Sequence, residues 1–537
     1  MRYTPPTPVN EPVRSYSPGS AERASLEARL VTLASERTDI PCVIGGRDIR
    51  TGSTLPVVAP HNHQHVLADV HQAGPAEIAQ AIAAASEASA AWSQLPYEER
   101  LAVVLRAGDL LAGPWRNTIN AATMLGQSKT VHQAEIDAAC EAIDFLRFNA
   151  QFLTEIYADQ PISAPGIWNR MEYRPLEGFV VAISPFNFTS IAMNLVVAPA
   201  MCGNVVLWKP AHTSALAAYF NLRLLEAAGL PPGVVNLVFA DGPTIAEHAL
   251  THRDLAGVHF TGSTAVFNSI WSAVGSRIGE YRSYPRLVGE TGGKDFVIAH
   301  PSADPAAVAT NLLRGAFEYQ GQKCSAASRA YIARSLWPAV RDKLVADVAT
   351  IRVGDPCDFS NFMGAVIDER GFAKHRDAIA EATASGATIV CGGRTDDSVG
   401  YFVEPTVIET DDPNFRLLRD ELFGPILTVY VYDDTRYSET LELVDQTSPY
   451  ALTGAIFATD RAAVVEAHQT LRFAAGNFYV NDKPTGAVVG QQPFGGGRQS
   501  GTNDKAGSRW NLIRWMSPRS IKETFDPATD YRYPFLG

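Results

Sequence analysis

Cysteine is scarce in this chain, with six residues among 537. Cys42, Cys140, Cys202, Cys324, Cys357 and Cys391 are scattered, and no two form a C-x-x-C pair. That excludes a disulfide framework and points to a reducing compartment, read here as the cytoplasm. A basic excess is also missing. Lys and Arg number 45 against 57 Asp and Glu, a net charge of −12, which argues against a nucleic-acid protein but leaves room for a local cationic pocket for a phosphorylated cofactor. The first 23 residues lack the apolar core of a signal peptide and read as an extended arm. An uninterrupted hydrophobic span is lacking too. Residues 178–208 carry no charge and are long enough to cross a bilayer. However, Pro185, Asn187, Asn194, Pro199, Gly203 and Asn204 break the run, which fits a βαβ unit covered on both faces and argues against a membrane span.

What is present is alternation. The length allows about three domains. The 41 Gly and 34 Pro suit the many turns of an α/β chain. Helical spacing marks residues 75–92, 97–111 and 134–149. Strands are expected at 179–183, 204–208, 234–238 and 257–260, with helices at 215–228 and 244–250 between them. Strands separated by helices imply a parallel sheet. A second series begins near Asp295, with strands expected at 296–298, 330–332, 388–391, 426–431, 452–458 and 477–481. Its helices are expected at 305–317 and 337–349. The polar stretch 520–525 reads as an exposed or intermolecular strand.

The densest chemistry lies in Tyr319-Gln320-Gly321-Gln322-Lys323-Cys324-Ser325. A thiol in a glycine-containing loop is a candidate nucleophile, or else a small buried apolar residue. Glu290 ends an apolar strand among glycines, the place for a general base or for an ordinary loop glutamate. Asn187 follows the first strand of the charge-free run and is an oxyanion donor or a turn residue. Val258-His259-Phe260-Thr261-Gly262-Ser263 reads as strand, turn and helix start, which suits a pyrophosphate, although the G-x-G-x-x-G fingerprint is absent there. His61, His63 and His65 would share one face of a strand, as zinc ligands can. Pro60 and Asn62 favour a solvated polar turn instead, and no metal is expected.

Together these residues resemble the aldehyde dehydrogenase superfamily. The carrying motifs are Ser184-Pro185-Phe186-Asn187, Trp208-Lys209-Pro210, Phe260-Thr261-Gly262-Ser263, Glu290-Thr291-Gly292-Gly293-Lys294, Gly321-Gln322-Lys323-Cys324 and Glu421-Leu422-Phe423-Gly424-Pro425. Gln160-Pro161-Ile162-Ser163, the stretch from Glu141 to Asn149, Gly476 to Lys483 and Gly490 to Gly496 resemble the narrower L-glutamate γ-semialdehyde (1-pyrroline-5-carboxylate) dehydrogenases, in monofunctional form. The resemblance implies an α/β fold with a Rossmann-type NAD-binding domain, an α/β catalytic domain and a small β oligomerisation flap. Residues 1–154, 172–288 and 491–515 are expected in the first, 289–490 in the second, and 155–171 with 516–537 in the flap.

The implied activity is NAD-dependent oxidation of the semialdehyde to L-glutamate in proline catabolism. A broader aldehyde dehydrogenase acting on another semialdehyde is the alternative. By resemblance, Cys324 is the nucleophile, Asn187 the oxyanion donor and Glu290 the base. Ser184, Pro185, Phe186, Lys209, Pro210, Gly262, Ser263, Glu421 and Phe423 face the cofactor. Glu141, Phe186, Lys323, Ser325, Gly486, Ala487 and Phe494 face the substrate. His212 stands where many superfamily members carry a Glu, which leaves room for NADP beside NAD. The implied partners are a second copy of the chain, giving at least a dimer, and a separate proline dehydrogenase coupled in function. Residues 160–173 and 520–525 are expected to pair with a partner's sheet.

Overall fold

Two twisted sheets, each flanked by helices, carry the chain in a computed structural model that describes residues 4–537. Residues 1–3 of the expected arm lie outside the described residues. The first sheet runs Arg286–Glu290, Leu255–Thr261, Phe179–Ser184, Val205–Pro210, Val235–Leu237, Cys42–Ile44, Arg47–Ile49. Its first five strands are parallel, and Cys42–Ile44 runs antiparallel to both its neighbours. The chain leaves Phe179–Ser184 to one side and later returns to its other side with Leu255–Thr261. That reversal opens a crevice beyond the carboxyl ends of these two strands. The charge-free run is the βαβ unit expected: Phe179–Ser184, the helix Thr189–Met201 and Val205–Pro210. Every residue of that helix except Ile191 is buried.

The second sheet runs Thr388–Cys391, Thr406–Thr410, Ile426–Tyr432, Ala327–Ala333, Asp295–Ala299, Thr453–Phe457, Asn477–Val480. Only Thr388–Cys391 is antiparallel to its neighbour. The helix Pro305–Phe317 has its expected bounds because Asp304 caps it, accepting from Ala306 N at 2.9 Å, and Pro305 suits the first turn. Apolar side chains of each sheet pack with their own helices into separate cores.

Four expectations change. The arm is shorter, because Ser20 caps a helix at Ala21–Ser35. The single helix expected at 134–149 is instead Val131–Ala134, a π-helical segment Glu135–Glu141, and Ala142–Ala158. The wider π turn gathers Glu135, Asp137 and Glu141 toward the interior, where carboxylates find partners that a sequence period cannot show. His63 and His65 lie on a strand, Asn62–His71, while His61 sits in the turn expected before it but is buried rather than solvated. His61 faces Asp355, while His63 and His65 turn their Nε2 atoms to the carbonyls of Asp397 and Ala34. Finally, Ile167–Pro175 and Met516–Thr524 pair antiparallel with each other, so the flap strands first find a partner within the chain. Among the described residues no helix is long and apolar enough to cross a membrane.

Gly178 starts the first central strand at φ 127°, and a Cβ there would collide with the carbonyl oxygen of Asp254. Gly178→Ala should therefore cost on the order of 2–3 kcal/mol, read as a lowered melting temperature.

Candidate active site

Cys324 sits where the two sheets face each other. The helix Pro305–Phe317 delivers the chain to it through three consecutive left-handed residues: Tyr319 at φ 51°, Gln320 at 55° and Gly321 at 64°. Two non-glycine residues in this region carry strain, and their side chains supply what holds it. Gln320 Nε2 donates to the carbonyls of Ser128 at 3.0 Å and Ala365 at 2.7 Å, and its Oε1 accepts from Gly364 N at 3.0 Å. The Tyr319 ring lies 4.4 Å from the buried ammonium of Lys129. Gly321 is obligatory, because a side chain would strike the Gly424 carbonyl.

Asn187 reaches across from the first sheet. Its Nδ2 donates to the carbonyl of Gln322 at 3.0 Å, two residues before the thiol. The backbone N–H of Cys324 faces its own sulfur. Both donors therefore lie at the cysteine loop. Burial raises the Cys324 thiol well above its usual range, and the carboxylates of Glu290, Asp295 and Glu421 push it further. Glu290 ends the strand Arg286–Glu290 and bridges to Gly501. Burial raises it to about 8, against the ammonium of Lys505. It is thus a carboxyl poised to take a proton near neutral pH.

The crevice of the first sheet gathers most of the expected cofactor residues. Ser184 ends its strand and accepts from Trp208 Nε1 at 3.0 Å. Pro185 and Phe186 follow, and the Phe186 ring meets that of Phe423 edge-on, 5.8 Å between centroids. Lys209 and Pro210 end the neighbouring strand. The Lys209 amine has no hydrogen-bond partner among the described residues, and burial lowers its pKa. Gly262 precedes Ser263, whose hydroxyl caps the helix Thr264–Ser276. A half-buried, unpartnered amine and a helix N-terminus on one crevice fit the hydroxyls and phosphates of a dinucleotide. Glu421 comes from the second sheet's side, accepting from Gly293 N at 3.0 Å. His212 donates through Nε2 to the Pro56 carbonyl at 3.0 Å.

The expected substrate residues come from several separate segments, and Lys323 lines one cavity with Glu421 and Phe423. Glu141 ends the π-helical segment and accepts from Ser190 Oγ at 2.9 Å; burial and Asp137 raise its pKa to about 8. Ser325 shares a 2.8 Å hydrogen bond with Thr485, one residue before Gly486 at φ 95° and two before Ala487. Lys323 is buried against Glu318, at 3.1 Å, so its charge is already partnered. Phe494 donates its N–H to the Ala506 carbonyl at 3.0 Å. Sequence reading missed Thr485, Glu318 and the group behind Glu141. There Lys129 donates to Asp137 at 2.5 Å, and Asp137 accepts from the backbone of Thr189 and Ser190. The spacing of Asp137 and Glu141 was the available hint, while Thr485 carries none.

A model of the aldehyde dehydrogenase family matches residues 49–521. The chain belongs to that family. It is 52% identical to a delta-1-pyrroline-5-carboxylate dehydrogenase, mitochondrial, of Dictyostelium discoideum, over 99% of this chain and 96% of the relative. The protein so named of Homo sapiens is 49% identical over 98% of this chain and 94% of its own. The solved delta-pyrroline-5-carboxylate dehydrogenase of Mycobacterium tuberculosis bound with NAD is 58% identical, with a TM-score of 0.97, covering 100% of this chain and 99% of that one. The superfamily, its narrower branch and the α/β fold expected from sequence are thus borne out. The cytoplasmic expectation is overturned, since both eukaryotic relatives are named mitochondrial. Scarce cysteine speaks for a reducing environment and does not single out one compartment.

Because Glu290 disfavours the thiolate, Glu290→Gln should speed alkylation of Cys324 by iodoacetamide several-fold above pH 8, where Glu290 is ionised. Peptide mass spectrometry separates this thiol from the other five. An unchanged rate would show that the carboxylate does not govern the thiol.

Proposed function

We propose that Cys324, Asn187 and Glu290 carry the oxidation of L-glutamate γ-semialdehyde to L-glutamate in proline catabolism. The chain is an NAD-dependent aldehyde dehydrogenase. The observation that carries the residue assignment is that Asn187 of one sheet binds the backbone of the Cys324 loop of the other, with Glu290 at the nearest strand end.

The thiolate of Cys324 adds to the aldehyde carbon, forming a C–S bond. The carbonyl electron pair moves to oxygen, and the resulting oxyanion is held by Asn187 Nδ2 and the Cys324 N–H. One such donor is typically worth 10²–10³-fold in rate. NAD, when bound, supplies the acceptor for the hydride that leaves this carbon. A thioester remains on Cys324. Glu290 takes a proton from water, whose oxygen bonds to the acyl carbon. The C–S bond then breaks, returning the thiolate and releasing the carboxylic acid.

Ser184, Pro185, Phe186, Pro210 and Gly262 line the cofactor crevice. Lys209 meets the adenosine ribose, Ser263 the pyrophosphate, and Glu421 the nicotinamide ribose with Phe423 beside it. Glu141 meets the substrate ammonium. Ser325 and the N–H groups of Gly486 and Ala487 hold its carboxylate. Phe186 and Phe494 pack its methylenes, and Lys323 adds positive charge, tempered by Glu318. The lobes divide as residues 4–154, 172–288 and 491–515 for the cofactor, 289–490 for catalysis, and 155–171 with 516–537 for assembly. A lone two-stranded ribbon is marginal in water, which supports a homo-oligomer of at least two copies, each offering open ribbon edges. Coupling to a separate proline dehydrogenase belongs to the same reading.

Cys324→Ala should abolish turnover while calorimetric NAD binding persists. Turnover retained in that variant would sink the assignment. In single-turnover experiments the hydrolytic step should gain rate as pH rises through about 8, because only the ionised Glu290 can accept the proton. Glu290→Gln should lose that limb and accumulate acyl-enzyme, seen as a burst followed by a slow steady rate.

A further inference from the structure

The arm before the first helix is not a loose end. Asn10 Nδ2 donates to Asp144 Oδ2 and to the carbonyl of Val489, each at 2.8 Å. Its Oδ1 accepts from Gln491 Nε2 at 2.9 Å. One amide thus ties the start of the helix Ala142–Ala158 to the loop that follows Gly486 and Ala487. The ties reach across sequence separations of 134 and 479 residues. Glu11 N donates to the other oxygen of Asp144 at 2.8 Å. The carboxylate of Glu11 accepts from Arg116 at 2.6 Å and from Arg147 at 2.8 Å.

Further along, Arg14 N and the Tyr16 hydroxyl each donate to Glu135 at 2.9 Å, at the head of the π-helical segment. Burial opposes the charge of Glu135, but the Arg116 guanidinium outweighs it and keeps this carboxyl below its usual range. The arm therefore grips the π-helical segment at its first residue and again three residues past its last. Glu141 is that last residue.

The loop needs such support. Gly490, at φ 83°, lies so close to the Phe148 ring that a Cβ would overlap it. The loop's inner side is tied to the cysteine loop by Thr485 and Ser325. On its outer side it packs on the Phe148 ring, and among the described residues the hydrogen bonds that bridge it to the helix run through the arm's Asn10.

We propose that Asn10 is a positioning residue for substrate selection. It fixes the spacing between Glu141 and the Gly486–Ala487 backbone, so that an aldehyde bearing both an α-ammonium and an α-carboxylate is gripped at both groups at once. The proposal rests on the substrate contacts assigned above. Asn10 touches neither thiol nor crevice, so a simple aldehyde gains nothing from it.

The test is steady-state kinetics of the full chain with L-glutamate γ-semialdehyde and with propanal, which carries neither group. In Asn10→Ala, KM for the amino-acid aldehyde should rise about tenfold, in line with lost bonds to a charged partner. The kcat values, KM for propanal and NAD binding should stay as in the wild type. Gln491→Ala removes one of the two bonds between Asn10 and the loop and leaves the one to the Val489 carbonyl. It should raise the same KM several-fold, which covers the case in which Asn10→Ala does not fold. Parallel rises for both aldehydes, or unchanged KM values in a folded variant, would overturn the arm's role. A wild type that does not prefer the amino-acid aldehyde over propanal would instead overturn the substrate reading, and this proposal with it.

Discussion

Everything at the centre of this molecule depends on backbone approaching backbone around Cys324. A side chain at Gly293 would strike the Cys324 carbonyl and the Asp295 carboxylate, and one at Gly321 would strike the Gly424 carbonyl. A side chain at Gly292 would enter the carboxylate of Glu421. Three glycines therefore let a strand end, a strained loop and a glutamate meet at one thiol. The strain at Tyr319 and Gln320 is sustained because the Gln320 amide is fully engaged in the interior.

The same closeness sets the electrostatics. Three carboxyl groups bias the thiol toward its protonated form, and burial lifts Glu290 and Glu421 as well. Negative charge is expensive throughout this site. The proposed oxyanion would need donors already aimed at it, a role for which the backbone of Cys324 and the amide of Asn187 are the proposed pair because neither adds charge.

The main architecture was legible because its elements are governed by local rules. Pro305–Phe317 and Thr388–Cys391 carry the bounds expected of them, the first from its Asp-Pro start. It was the family resemblance, and not the residues taken singly, that grouped Cys324, Glu290 and Asn187. What was hidden follows from partners that no sequence period marks. The π-helical segment looks like an ordinary helix until Arg116, Lys129 and the arm are seen to claim its carboxylates. The partner of Lys323 is local, at Glu318, but nothing in a sequence separates that pair from two solvated charges. The histidines misled because a proline and an asparagine outweighed the strand, although its hairpin partner Thr54–Ala59 is close in sequence.

The ribbon of Ile167–Pro175 and Met516–Thr524 has a consequence for how the chain acquires its shape. Arg519 meets Glu172 across 347 residues, and Arg170 meets Glu523 across 353. Closing a loop of that size has an entropic cost that nothing local offsets. Both folded sheets must already hold the two strands near each other before the ribbon can zip. It is a late event in folding, and during synthesis Ile167–Pro175 waits with its edges bare until nearly all the other described residues have left the ribosome. The last structure to form is thus the one that joins strands about 350 residues apart.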